Sequence, residues 1–314
     1  MADRKLVSVV TPCYNEEGNI EELYRRVKQV FEKLKDYDYE HIFIDNASQD
    51  RTVSILKEIA GKDRRVKIIV NTRNFGVIRS GYYGLTQARG DAVIGLVADL
   101  QEPPALIADF IQKWEEGYKV VEGIKARSKE NLLMYGMRSF YYYLVGKLSN
   151  VKLSSYFTGF GLYDRRVIDA LRAIDDPYPY IRGLVAELGF KSAEIDYTQE
   201  RREKGKTSYN FYELCNTAML GITSHSVVPL RLATISGFLM SLISFAVGIG
   251  YLVAKLIFWQ RFPLGIAPII ISIFLLSSVQ LFFIGILGEY IGLMHLRILK
   301  RPLVVENERV NFNT

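Results

Sequence analysis

Residues 95–104 read GLVADLQEPP, and the reading of this stretch decides the fold. An apolar run, Asp91–Val97, ends in a short polar turn carrying Asp99 and Gln101. Pro103 and Pro104 then open a helical pattern, PPALIADFIQKWEEG. An apolar run of this length bounded by turn residues is a buried strand, and prolines suit the first turn of the helix that follows. Two carboxylates one residue apart at such a strand end are a common way to hold a divalent ion against a diphosphate, because Mg²⁺ takes one or two carboxylates and fills its octahedron with phosphate oxygens and water. Asp99 is one such acid, and Val97 occupies the other place.

Working outward, the same alternation recurs. LVSVVTP reads as a strand. Glu16–Lys35 reads as a helix with apolar residues at Ile20, Leu23, Val27, Val30, Phe31 and Leu34. YEHIFID is a second strand, SQDRTVSILKEIAG a capped helix ending at Gly61, VKIIVN a third strand and Val77–Ala88 a third helix. KVVEGI follows the proline-led helix as a fifth strand. Strands alternating with helices imply an α/β fold with parallel pairing and right-handed crossovers. Ligands of such sheets bind at the carboxyl ends of the strands. Three polar clusters fall there: CYNEE, DNASQD and ADLQEPP. Asp50 suits a helix N-terminus and Asp91 a strand start. No GxGxxG follows the first strand and no GxxxxGK[ST] occurs, which disfavours a Rossmann dehydrogenase and a P-loop NTPase.

The 314 residues carry a formal charge of +6, which suits an anionic partner such as nucleic acid, a lipid surface or a phosphorylated substrate. Cys13 and Cys215 share no metal or redox spacing and read as reduced, buried thiols. Charge is unevenly distributed. Leu232–Ala254 and Leu264–Gly288 carry none, and each is long enough to cross a bilayer core, which takes about 20 residues as a helix. Arg231 before the first run, and Arg297, Lys300 and Arg301 after the second, outnumber Lys255 and Arg261 between them. The balance places both outer flanks on the cytoplasmic side, in keeping with the lack of a signal-peptide pattern. Asn131–Asn150 and Ser208–His225 mix aromatic and basic residues as helices at headgroup level do.

Taken in order, TPCYNEEGNI, IDNASQDRT, NFGVIRSGYYG, ADLQEPP, EKGKTSYN, two apolar runs and GEYIG…KRP resemble the polyisoprenyl-phosphate glycosyltransferases over nearly the whole chain. These are family-2 inverting enzymes of the GT-A fold, similar to bactoprenol glucosyltransferases and dolichol-phosphate mannose synthases. The resemblance implies a Rossmann-like nucleotide-sugar-binding domain over 1–207 with an interfacial helix at 131–150. A juxtamembrane helix at 208–231, a transmembrane hairpin over 232–290 and a cytoplasmic tail over 291–314 would follow. It implies a nucleotide-sugar donor, usually of UDP, a polyprenyl-phosphate acceptor, contact with membrane lipids and none with nucleic acid. The protein would sit in the inner or plasma membrane with the catalytic domain and both termini cytoplasmic. The faces of a two-span hairpin leave a homo-oligomer open.

At matching positions the resemblance assigns roles. Pro12, Tyr14 and Glu16 would border the base and ribose, with Asp45 and Asn46 against the base. Asp99 would face Mg²⁺ or Mn²⁺ and the diphosphate, as the one protein carboxylate on that ion, with Gln101 beside it. Arg202 would bind phosphate and act with Asp99 in catalysis, and Arg201 and Lys206 share its basic run. Glu289, Arg297 and Arg301 belong to the C-terminal motif, where topology or headgroup contact is expected. Three positions depart from the pattern. Val97 replaces the first acid of DxD. Gly159 and Gly161 replace an Asp and an Arg of a GDFR turn. Ser208 stands where relatives often carry Lys. These departures support a second reading, a non-catalytic scaffold that binds nucleotide sugar or lipid phosphate. A processive polysaccharide synthase is disfavoured because no QxxRW occurs.

Overall fold

The structure, a computed structural model, describes residues 4–127, 157–174, 176–200, 228–258 and 266–312. Its first half follows the alternation: β1 (Lys5–Cys13), α1 (Ile20–Lys33), β2 (Tyr37–Asp45), α2 (Thr52–Lys62), β3 (Val66–Asn71), α3 (Val77–Gln87), β4 (Ala92–Gly95), α4 (Ile107–Glu115) and β5 (Val120–Arg127). The chain goes on through β6 (Phe157–Asp164), α5 (Arg165–Ala173), α6 (Ile181–Leu188), β7 (Ser192–Thr198), two long helices α7 (Val228–Ile257) and α8 (Ile266–Ile298), and β8 (Glu306–Val310).

The eight strands of the described residues form one sheet in the order β7-β5-β6-β4-β1-β2-β3-β8. The centre is parallel, with β1 between β2 and β4, and β2 beside β3. Side-chain period two sorts each central strand between two faces. Val7, Val9 and Phe43 pack with Ile20, Leu23 and Val27 of α1 and Leu56 of α2, whereas Val10, Ile42 and Ile44 pack with Tyr82 and Leu85 of α3. A sheet covered on both faces reads as continuous apolar runs, which is why these strands are legible in the sequence.

Parallel pairing holds among β1, β2, β3 and β4, and two strands that the sequence did not disclose are antiparallel. β6 lies antiparallel between β4 and β5, and β8 lies antiparallel on the far edge against β3. β6 carries Gly159 and Gly161, which break the apolar run that marks the central strands. Its middle is close-packed. A Cβ on Gly161 would lie closer than 3.0 Å to the carbonyl oxygen of Val121, so the arginine of the GDFR pattern has no room in this backbone. Gly159 has φ +103°, a conformation that favours glycine, yet open space where its Cβ would be.

Helix α1 starts at Ile20, four residues later than the periodicity suggests, because Tyr14–Asn19 form a loop. The proline-led segment begins as a 3-10 turn, Pro104–Leu106, before α4. Helix α8 runs to Ile298, ten residues past the expected end of the second apolar run, so Glu289 lies inside it and exposed. Leu276–Ile298 is long and apolar enough to cross a membrane, and several of its large side chains are exposed, Phe282 at 66% and Ile298 at 77%. Leu232, Phe238 and Phe245 of α7 are exposed as well. Arg297 near the end of α8 pairs with Asp176 at 3.0 Å, linking that helix to the sheet domain.

Residues 306–310, expected within a tail, form the sheet's edge. Glu308 pairs with Lys57 at 2.6 Å, Glu306 accepts from the Tyr83 hydroxyl at 2.7 Å, and Asn311 donates to the carbonyls of Ala60 and Val66 at 2.9 Å.

Candidate active site

The carboxyl ends of β1, β2 and β4 come together, and each is followed by one non-glycine residue in the left-handed region: Asn15 (φ 54°), Ala47 (φ 61°) and Leu100 (φ 60°). Residues held there cost on the order of 1–3 kcal/mol and concentrate at functional sites. The first two loops hold each other. Asn15 receives the Gln49 N–H at 2.8 Å on its side chain and donates its own N–H to Ser48 Oγ at 2.9 Å. Glu16 N–H donates to Thr52 Oγ1 at 2.9 Å, and Glu17 N–H to Asp50 at 3.2 Å. Asp50 also accepts the Thr52 N–H at 3.0 Å, as an N-terminal helix residue should, and Asp91 accepts the Leu6 N–H at 2.8 Å.

Pro12 and Tyr14 are half-buried at the end of β1, as is Glu16. Asp45 is fully buried and accepts the N–H and hydroxyl of Ser48. Burial raises its carboxyl above the usual range, opposed by the hydrogen bonds from Ser48 and Ala47. Cys13 is buried with its sulfur 3.9 Å from Asp45 Oδ1, and burial pushes its thiol well up. Asn46 is committed to the scaffold. Its Oδ1 accepts from Asn71 Nδ2 at 3.1 Å, from Ser80 Oγ and from the Phe75 N–H at 3.4 Å, so one side chain fixes β2, β3 and the start of α3 together.

Asp99 sits half-buried at the end of the β4 loop and accepts the Gln101 N–H at 3.1 Å, which closes the turn around Leu100. Gln101 bonds in turn to Glu200. Its carbonyl accepts the Glu200 N–H at 3.1 Å, and its Nε2 reaches the Glu200 carbonyl at 3.5 Å. Glu200 immediately precedes the basic run. Arg201, Arg202 and Lys206 lie outside the described residues, as do Ser208, Cys215, residues 131–150 and residues 208–227. The chain that leads into the basic run therefore starts against the Asp99 turn.

Glu102 was not expected in the site. It is 5% exposed, and its two oxygens accept the Val97 N–H and the Thr158 hydroxyl, each at 3.1 Å. Burial first, and the charge of Asp99 second, raise its carboxyl to about 8. A neutral carboxyl thus braces the backbone of the position where a first DxD acid would stand. Beneath it Phe160 packs edge-on against Phe110 at 4.9 Å and Tyr197 at 5.4 Å. The sequence signal for Glu102 was only an acid before two prolines, and its burial depends on Thr158 of the strand β6 that the sequence did not disclose. Among the described residues no three His, Cys, Asp or Glu side chains converge as a metal cage. A divalent ion at this turn would have Asp99 as its protein carboxylate, which fits an ion shared with substrate phosphates rather than one held by the protein alone.

A sheet of this order, with acids and strained loops at the carboxyl ends of its parallel centre, is a GT-A-like α/β fold. The model of the family described as "Glycosyl transferase family 2" matches residues 8–172, and the chain belongs to that family; it is a glycosyltransferase. The chain is 36% identical to an uncharacterized glycosyltransferase of Bacillus subtilis (strain 168), over 95% of this chain and 92% of that protein. It is 34% identical to a prophage bactoprenol glucosyl transferase homolog of Escherichia coli (strain K12), over 94% of this chain and 96% of the relative. It is also 34% identical to a bactoprenol glucosyl transferase of Shigella phage SfV, over 96% and 99%.

Proposed function

We propose that the protein transfers a sugar from a UDP-sugar to a polyprenyl phosphate at the cytoplasmic face of a membrane, with inversion at the anomeric carbon. The observation that carries this reading is the bonding of Gln101 to Glu200, which starts the basic run at the Asp99 turn. Anionic donor and anionic acceptor would then meet between Asp99 and Arg202. The names of the Escherichia coli and Shigella phage relatives support the acceptor class.

The acceptor phosphate is ionised near pH 7, its second pKa being about 6. It needs placement more than a base, so Gly159 in place of an acid does not prevent reaction. A phosphate oxygen bonds to the anomeric carbon, the bond from that carbon to the diphosphate breaks, and UDP leaves with the developing charge. Stabilising that charge is electrostatic work. Arg202, Arg201 and Lys206 supply positive charge to it. Mg²⁺ or Mn²⁺ held by Asp99 and the diphosphate would add neutralising charge at the leaving group. Asp45 and the linked β1 and β2 loops shape the nucleoside side, with Pro12, Tyr14 and Glu16 on their rim.

Both long helices are proposed to cross the membrane. Residues 200 and 306 both lie at the same sheet, since Glu200 bonds Gln101 and Glu306 pairs with Asn71. A chain that leaves and returns to one side crosses an even number of times. If α8 spans through Leu276–Ile298, then α7, with its exposed apolar side chains, supplies the return crossing. That arrangement keeps the sheet domain and both flanks cytoplasmic.

The test is transfer of label from a panel of UDP-sugars to polyprenyl phosphate in the organic phase, with Mg²⁺, Mn²⁺ or EDTA. Label with one sugar that vanishes in EDTA is the expected result. Label that persists in EDTA would shift the electrostatic role from Asp99 to the basic run. UDP binding with no label from any donor would overturn transfer to polyprenyl phosphate from the tested donors and favour the scaffold.

A further inference from the structure

A second basic site lies away from the Asp99 turn. A cavity of about 430 Å³ opens where the end of β3, the start of α3, the end of α8 and the approach to β8 meet. Arg73, Arg79 and Arg301 line it, and among the described residues no carboxylate does. The nearest acids in sequence are engaged: Asp176 holds Arg297 at 3.0 Å, and Glu306 holds Arg309 at 2.5 Å. Arg73 and Arg301 form no ion pair among the described residues, and both are exposed.

Arg79 is held in place from several sides. Its Nη2 donates to the Pro302 carbonyl at 2.6 Å, and its guanidinium lies 5.3 Å from the Phe75 ring and 5.5 Å from that of Tyr178. Arg73 stacks over Phe75 at 4.0 Å. The Nε–H of Arg79 is buried with no partner among the described residues. Burial, with Arg73 and Arg301 also contributing and Tyr178 opposing, lowers the affinity of Arg79 for its proton. Three like charges gathered around aromatic walls, with an unused buried donor, form a cluster that a bound anion would relieve. Guanidinium forks match phosphate oxygens in geometry and charge.

The cavity lies apart from the Asp99 turn and borders the nucleoside side, since Phe75 of its wall donates its N–H to Asn46 at 3.4 Å. β3 lies three strands from β4 in the sheet, about 14 Å at ordinary strand spacing. The position also sets the level of the cavity, because Leu296 of α8 is part of its wall, two residues from the end of the apolar stretch.

We propose that Arg73, Arg79 and Arg301 form a phosphate-binding site, separate from the Asp99 turn, that engages a phosphate group where α8 meets the sheet domain. The phosphate comes either from an anionic lipid headgroup or from a soluble phosphorylated molecule, and the two sources share this recognition chemistry.

The test uses the full chain in nanodiscs with saturating UDP, measuring thermal stabilisation by inorganic phosphate at constant ionic strength. Wild type is compared with a double variant, Arg73→Gln with Arg301→Gln, with Arg79→Lys, and with a control in which Lys62 and Arg64 are both changed to Gln. In phosphatidylcholine discs the double variant should need at least about tenfold more phosphate for half-saturation, since each charge-assisted contact is worth roughly that factor. Arg79→Lys keeps the charge, loses the fork and should weaken binding in the same direction, while the surface control matches wild type. Loss of the phosphate response in discs containing phosphatidylglycerol would identify a lipid headgroup as the source. A response equal in both discs would identify a soluble phosphate. Half-saturation in both arginine variants within twofold of wild type would overturn the proposal. Asp99→Asn should leave the phosphate response unchanged, so failure of this site and failure of the transfer reaction are read separately.

Discussion

Gly161 offers a direct test of the sheet geometry that positions the site. It sits in β6 opposite Gly95 of β4 and Glu122 of β5, and a Cβ there would lie closer than 3.0 Å to the Val121 carbonyl oxygen. That oxygen is backbone in the middle of a ladder and has no rotamer by which to retreat. Gly161→Ala must therefore part β5 from β6. Overpacking of this kind costs about 1–3 kcal/mol, and two weakened ladder hydrogen bonds add about 1 kcal/mol each. The expected loss is about 3–5 kcal/mol, a large share of the 5–15 kcal/mol typical of a domain. Denaturant unfolding followed by tryptophan fluorescence is a suitable assay, because the Trp114 indole donates to Asp164 at the end of β6 at 2.7 Å. Gly61→Ala is the control. It lies in α2 with nothing within 4 Å of its would-be Cβ, and it should gain about 0.5–1 kcal/mol. Gly161→Arg, which restores the residue of the resembling pattern, should do at least as much harm as Ala. A Gly161→Ala protein within about 1 kcal/mol of wild type would refute the placement of β6 against β5.

Other outcomes follow from the same geometry. Burial depresses the His41 imidazole to about 3, against about 6.5 when unfolded, so the folded state holds it neutral. Its contribution is complete above pH 6.5 and is lost as pH falls through 6.5 towards 3, about 5 kcal/mol in all. In a pH series of unfolding midpoints, His41→Asn should flatten that slope by one proton, and an unchanged slope would refute a neutral buried ring. Asp99→Asn should lower transfer about 10²-fold or more, the usual scale for one electrostatic group at a developing charge, with the melting temperature unchanged; full activity would remove Asp99 from the chemistry. Glu102→Gln should unfold at nearly the wild-type denaturant concentration at pH 7, since a neutral side chain of that shape replaces a neutral carboxyl. Glu102→Ala leaves the Val97 N–H and the Thr158 hydroxyl without acceptors and should cost about 1–3 kcal/mol. Equal loss from both substitutions would contradict a protonated Glu102.

The parallel centre of the sheet was legible because burial on both faces leaves β1, β2 and β3 as unbroken apolar runs. The positions of Asp45 and Asp99 at the carboxyl ends of strands were legible because each acid ends an apolar run. β6 was not, since close approach to β4 and β5 demands glycine where a pattern reader looks for alternating Val or Ile. β8 was hidden for the opposite reason. ENERV is rich in charge because its outer edge faces water, and charged side chains keep an open edge from pairing with other chains. Asn46 was legible in place but not in its bonding. Its place at the end of β2 was read from sequence, but its bonds to Asn71, Ser80 and Phe75 arise only once β3 and α3 are packed. Glu102 was missed because a carboxyl in a polar loop reads as solvated until Thr158 is set over it.

The placement of β8 bears on how the protein is made. During synthesis β3 emerges early, whereas residues 306–310 emerge only after both long helices have left the ribosome. Until then β3 offers a bare row of backbone groups along its outer edge. A nascent chain therefore completes its sheet last, and, on the proposed topology of two crossings, only if α7 and α8 have turned the chain back to the side on which it began. A chain that inserted with an odd number of crossings would deliver β8 to the far side of the membrane. Its sheet would stay one strand short, and that open edge would mark it for capture by a chaperone or protease.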